Sequence, residues 1–174
     1  MEKKFILTDK FVINSFGIKL FQIKCTKSFK YAQKGDFGGY VEKEGNLDQE
    51  NDAWVFGNAR VSGDARVSGN ARVSGDARVS GDACVSGNAW VSGDADIEND
   101  NEHCGFDGFG SCNRHTHAYM TKEKKVEIIC GCFRGSIEEF EKKVEETHSG
   151  TVYEKQYKSI INVIKIKFGL TDFT

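Results

Sequence analysis

Residues 52–99 read DAWVFG NARVSG DARVSG NARVSG DARVSG DACVSG NAWVSG DADIEN, eight hexads in a row without an insertion. An uninterrupted period of this kind decides the architecture before any other feature is weighed. Each hexad carries one aliphatic residue (Val55, Val61, Val67, Val73, Val79, Val85, Val91, Ile97), and an alanine stands two positions before each of them, from Ala53 to Ala95. Residues i and i+2 of a strand share a face. The alanine and the aliphatic residue therefore point inward together, and the residue between them (Trp, Arg, Cys or Asp) points outward. From Ser62 onward Ser-Gly-Asp or Ser-Gly-Asn supplies the corner, since glycine adopts positive φ freely and Asn and Asp tolerate it better than other residues.

A strand that turns at every hexad builds a coil, and one coil cannot bury its inner face alone, so stability must come from stacking. The pattern resembles the hexapeptide repeat of left-handed parallel β-helices. That resemblance implies three hexads per triangular coil, a left-handed path and vertical stacking of positions three hexads apart. The fold class expected is mainly β: a short left-handed parallel β-helix with a β cap before it and a small α+β unit after it.

Working outward, residues 1–37 form the N-terminal β cap. KFILT and KFVI are apolar runs of strand length, Asn14-Ser15-Phe16-Gly17 has turn chemistry, and Ile18, Leu20, Phe21 and Ile23 mark a second strand ending near Cys25. An open solenoid end exposes apolar core and unpaired backbone, which such a cap would cover. The repeat region spans 38–100. Gly38-Gly39 lets the chain enter it. The spacing from Leu47 to Val55 exceeds one hexad by two positions, which places the surplus at Gln49-Glu50-Asn51. Residues 101–174 form the C-terminal unit. Strands are expected at 114–121 and 125–130 between Gly-rich turns, and two helices follow. Ser136 with Glu139 reads as a capping box, and Thr151 with Glu154 repeats the signal.

KGDFGGYVEKEGNL ahead of the repeats and CGCFRGSIEEFEKKVEETH after them resemble bacteriophage and prophage hexapeptide-repeat proteins, YdcK-like and often labelled transferases. The resemblance implies a phage origin. It also raises a hexapeptide-repeat acyltransferase as an alternative function, since such enzymes use a catalytic histidine near a loop that leaves the coil. Here the repeats contain neither a histidine nor a loop. His103, His115, His117 and His148 all lie beyond them, and no hydrogen-bonded general base can be assembled from their spacing.

The chain has 174 residues and a net charge of −2, divided as +5 over residues 1–37, −7 over 38–100 and 0 over 101–174. No apolar run reaches membrane-spanning length and no signal-peptide pattern opens the chain, so a cytoplasmic protein with no membrane association is expected, its six cysteines as free thiols.

With three hexads per coil, Trp54, Arg72 and Trp90 fall on one outer face, Arg60 and Arg78 on a second, and Arg66 on a third. A guanidinium between indoles forms cation–π contacts, and these residue types are enriched at interface hot spots. The six residues are the candidate partner-binding set. The function expected is non-enzymatic binding of a host protein or nucleoprotein complex, with counter-defence against a host immune enzyme as its purpose and with no cofactor. Structural self-assembly is a further alternative. Ile160, Val163 and Ile166 are candidate oligomer contacts, most simply of a homodimer, because the last helix is apolar on more than one side. Cys104, Cys112, His115 and His117 are of zinc-ligand type and form a metal-site alternative, although CxC and HxH spacings are weak signals beside paired CxxC motifs.

Overall fold

The computed structural model describes residues 2–170, and the chain divides into two compact units, Met1–Asp100 and Asn101–Thr174. Strand β1 (Phe5–Ile13) and β2 (Lys19–Cys25) form an antiparallel hairpin, and β2 pairs with β3 (Phe37–Val41). KFILT and KFVI are thus one strand. A register shift between Leu7 and Phe11 accommodates the polar residues between the two apolar runs.

Eight two-residue strands follow: β4 (Trp54–Val55), β5 (Arg60–Val61), β6 (Arg66–Val67), β7 (Arg72–Val73), β8 (Arg78–Val79), β9 (Cys84–Val85), β10 (Trp90–Val91) and β11 (Asp96–Ile97). Their pairing is parallel. Trp54 registers with Arg72 and Arg72 with Trp90, Arg60 with Arg78 and Arg78 with Asp96, and Arg66 with Cys84. Each partner lies three hexads further along the chain, so three hexads make one coil of a β-solenoid. Backbone bonds hold the coils together, as in Trp54 N–H to Ala71 O at 3.0 Å and Arg72 N–H to Ala89 O at 2.8 Å.

Every alanine and aliphatic residue of the hexads is buried, most at 0% exposure, which fixes the inward face as the alternation demands. At the corners only glycine takes positive φ. Gly63 (φ +66) lies so close to the coil above that a Cβ there would stand 2.9 Å from the Gly81 carbonyl oxygen. The Asp or Asn that follows is conventional in φ, because glycine alone supplies the reversal.

The first coil is longer. Tyr40 registers with Arg60, Val41 with Val61 and Leu47 with Val67, so each pair is offset by three hexads and two further positions. The surplus sits at 49–51 and is tied to β1. The Gln49 side-chain oxygen accepts from Lys4 N–H at 2.8 Å, and the Lys4 ammonium donates to Asn51 O at 2.5 Å and Ala53 O at 2.9 Å.

The second unit is a four-stranded antiparallel sheet of β12 (His103–Phe109), β13 (Arg114–Met120), β14 (Val126–Cys130) and β15 (Phe133–Ser136), with α1 (Ile137–His148) and α2 (Val152–Lys167) on one face. β12 occupies a stretch whose glycines read as turns. Ser136 caps α1 in a reciprocal box with Glu139. Thr151 caps α2, but the Glu154 carboxylate turns to Gly150 N–H instead of closing the same box. Ala118, Ile128, Phe140, Tyr157, Ile161 and Ile164 fill the space between sheet and helices. No helix among the described residues is long and apolar enough to cross a membrane.

Candidate functional site

The outward positions of the hexads are fixed by the inward ones, so the parallel register turns a sequence repeat into vertical columns of side chains. In the column of β4, β7 and β10 the Arg72 guanidinium lies over the Trp90 ring, 4.1 Å from its centroid. Its second aromatic neighbour is Tyr31, at 5.5 Å, from the loop between β2 and β3.

Trp54 shares the column but not the surface, which corrects its assignment to an exposed stripe. It is 1% exposed, with Phe5 edge-on at 6.3 Å and Phe29 at 5.4 Å. The N-terminal segment lays its aromatic side chains across the outer face of the first coil and so buries an indole that the repeat alone would leave in water. Tyr31 enters the stack by the same route. No periodicity could reveal it, because it lies outside the repeat.

Arg66 and its column neighbour Cys84 are exposed. Arg60 is half-buried and Arg78 exposed, and both line a cleft of about 150 Å³ on the face formed by β5, β8 and β11. One acidic corner is ion-paired: Asp64 accepts from the Lys43 ammonium at 2.8 Å, and that bond holds its carboxyl below the usual range.

In the second unit the cysteines and histidines divide. Register places Cys104 opposite Ala118, on the face packed by the helices, where burial pushes its thiol up to about 11. His117 lies opposite Gly105 and shares the other face with His103, His115 and Tyr119. Cys112 lies in the exposed turn between β12 and β13. Cys104, Cys112, His115 and His117 therefore do not converge, because alternate strand residues face opposite ways. Among the described residues no cluster of three or more His, Cys, Asp or Glu side chains has metal-binding geometry.

The β12–β13 register does bring Asp107 beside His115, whose Nδ1 lies 2.8 Å from Asp107 Oδ1 while its Nε2 lies 3.3 Å from His117 Nδ1. Sequence spacing offers no hydrogen-bonded histidine, because the strand that carries Asp107 is rich in glycine and reads as a turn. His117 is 2% exposed, and burial, aided by its histidine neighbours, holds it neutral well below the ordinary imidazole range. The inward nitrogen of His115 thus faces another imidazole while Asp107 holds the other nitrogen, an arrangement that orients the ring.

The oligomer candidates also separate. Ile160 is 4% exposed and belongs to the core beneath α2, so it cannot meet a second copy without unfolding that core. Val163 and Ile166 are 48% and 46% exposed.

Residues 53–69, 65–81 and 77–93 match the family model described as YdcK Beta solenoid repeat. The matched segments lie wholly within the coils. No curated protein matches the chain.

Proposed function

We propose that this protein is a non-enzymatic binding protein whose β-solenoid presents a rigid surface to a macromolecular partner. The observation that carries the reading is the half-exposed Arg72 guanidinium held between Trp90 and Tyr31. Aromatic and arginine side chains dominate binding hot spots, and a guanidinium already fixed by two rings loses little rotamer freedom on contact. Arg66 and Arg78 extend the basic surface on the neighbouring faces. In this reading the partner is a host protein or nucleoprotein complex and the purpose is counter-defence, for which the support is the resemblance to phage and prophage proteins. The protein acts as a homodimer joined through Val163 and Ile166 of α2.

Tagged wild-type protein should recover one defined partner from host extract, and an Arg72→Glu/Trp90→Ala variant with an unchanged thermal midpoint should not. Equal recovery by both proteins would refute this surface.

Acyl transfer is the rival reading, and the Asp107–His115 pair is the observation that favours it. Calorimetry with an acyl-CoA separates the two: binding that is lost in His115→Gln would establish the rival, and no binding would leave the scaffold reading standing.

A further inference from the structure

The face formed by β5, β8 and β11 carries a second arrangement. Arg60 registers with Arg78 and Arg78 with Asp96 on successive coils. Two positions along each strand, Ser62, Ser80 and Glu98 line the same cleft. Both columns run in one sense, with hydrogen-bond donors on two successive coils and a carboxylate on the third.

Elsewhere in the solenoid no arginine registers with another: Arg72 has aromatic neighbours, and Arg66 registers with Cys84. Only Arg60 and Arg78, among the described residues, stand arginine on arginine. Consecutive coils are roughly 4.8 Å apart, and like charges at that separation repel. Among the described residues neither guanidinium makes an ion pair or side-chain hydrogen bond, and neither the Ser62 nor the Ser80 hydroxyl has a side-chain partner. Four donors thus line one cleft on two successive coils, and its carboxylates, Asp96 and Glu98, stand on the third. Paired guanidiniums suit a multidentate oxyanion, for which their planar donor forks are built.

The rest of the cleft narrows the class. Asp96 on the next coil is an acceptor, which disfavours a bare anion extending that way and suits a ligand with hydroxyl donors beside its anionic group. Phe16, from the turn between β1 and β2, stands at the rim with 84% of its surface exposed. A large aromatic ring left in water beside a polar cleft offers a stacking face for a planar base. The turn that carries it is fixed, since the Asn14 side-chain oxygen accepts from Phe16 N–H at 3.0 Å and Ile18 N–H at 2.9 Å. A cleft of about 150 Å³ has room for a phosphate and part of a sugar, with the base outside on the rim.

We propose that this cleft binds a mononucleotide, its phosphate on Arg60 and Arg78 with the two serine hydroxyls, its sugar hydroxyls toward Asp96 and its base on Phe16. The site is independent of the macromolecular reading and can stand or fall without it.

Isothermal titration calorimetry of the full chain with AMP, UMP, adenosine and inorganic phosphate tests the proposal. AMP should bind more tightly than UMP, inorganic phosphate should bind about tenfold more weakly than AMP, and adenosine should give no saturable heat. Arg78→Gln, at an exposed position, should weaken AMP by about tenfold or more, the usual loss for a charge-assisted hydrogen bond. Phe16→Ala should reduce AMP to the affinity of inorganic phosphate and leave phosphate itself unchanged, an effect that a merely unfolded protein would not give. Absence of AMP binding, equal affinity for AMP and phosphate in the wild type, or AMP affinity unchanged in both variants would each overturn it.

Discussion

The Arg72 guanidinium and the Trp90 indole, one coil apart in sequence and in space, are stacked 4.1 Å from charge to ring centroid. A half-exposed cation–π contact of this kind is worth about 0.5–1 kcal/mol. A double-mutant cycle on Arg72→Ala and Trp90→Ala, read by urea unfolding, should return a coupling of that size. Additive effects would mean that the guanidinium gains nothing from the ring.

Ala71 is fully buried between stacked coils. Ala71→Asp would place a carboxylate among apolar side chains with no cation in reach, and should cost more than about 4 kcal/mol, enough to prevent folding of the solenoid. Arg66→Asp, at an exposed position of the same repeat, should change stability by less than about 0.5 kcal/mol. Circular dichroism on thermal unfolding distinguishes the two; a wild-type midpoint in Ala71→Asp would contradict the inward assignment.

Lys4 is 4% exposed, and burial lowers its ammonium from the ordinary 10.5 to about 8. Between those values the unfolded chain holds a proton that the folded chain has released. Stability should therefore rise with pH across that window as the penalty for a buried charge is relieved. The full swing is about 3 kcal/mol at most. Other groups titrate in the same range, so the measurement is the difference in thermal midpoint between wild type and Lys4→Met, which should change steadily between pH 8 and pH 10.5 in favour of the wild type. A constant difference would show that the amine titrates alike in both states.

Val163 and Ile166 leave α2 with an exposed apolar stripe opposite the buried Tyr157–Ile161–Ile164 side. Sedimentation equilibrium should give a dimer at tens of micromolar, and Val163→Lys with Ile166→Lys should convert it to a monomer of unchanged helicity. A wild-type monomer at those concentrations would remove α2 as a contact.

The coil, its period and its inward face are all legible in the hexads, because alternation and a fixed repeat leave one way to bury Ala and Val together. The two-residue surplus is legible too, as the spacing between Leu47 and Val55. What escapes are relations between the repeat and segments that do not repeat. Trp54 reads as exposed because nothing in its hexad announces that Phe5 and Phe29 will cover it, and Tyr31 cannot be foreseen beside Arg72 for the same reason. In the second unit glycines disguise β12 as turns, so the Asp107–His115 pair is hidden in a strand that reads as a loop. The same disguise leaves Cys104 and His117 free to be grouped, when strand alternation puts them on opposite faces.

The hexads from 58 to 81 are nearly interchangeable, so a chain that slipped by one hexad would still bury an alanine and a valine at every step. What distinguishes the native alignment is the corner at 49–51, which Lys4 and Gln49 join to the first strand. That corner acts as an origin from which the three sides are counted. Deleting three consecutive hexads within 58–93 would shorten the solenoid by one coil and leave each remaining arginine on its own side. Deleting a single hexad between Arg72 and Trp90 would rotate everything downstream by one third of a turn, moving Trp90 out from under Arg72 with the hydrophobic interior intact. The sequence can thus gain or lose length in whole coils without scrambling its surface, and smaller changes in length rewrite the surface while sparing the core.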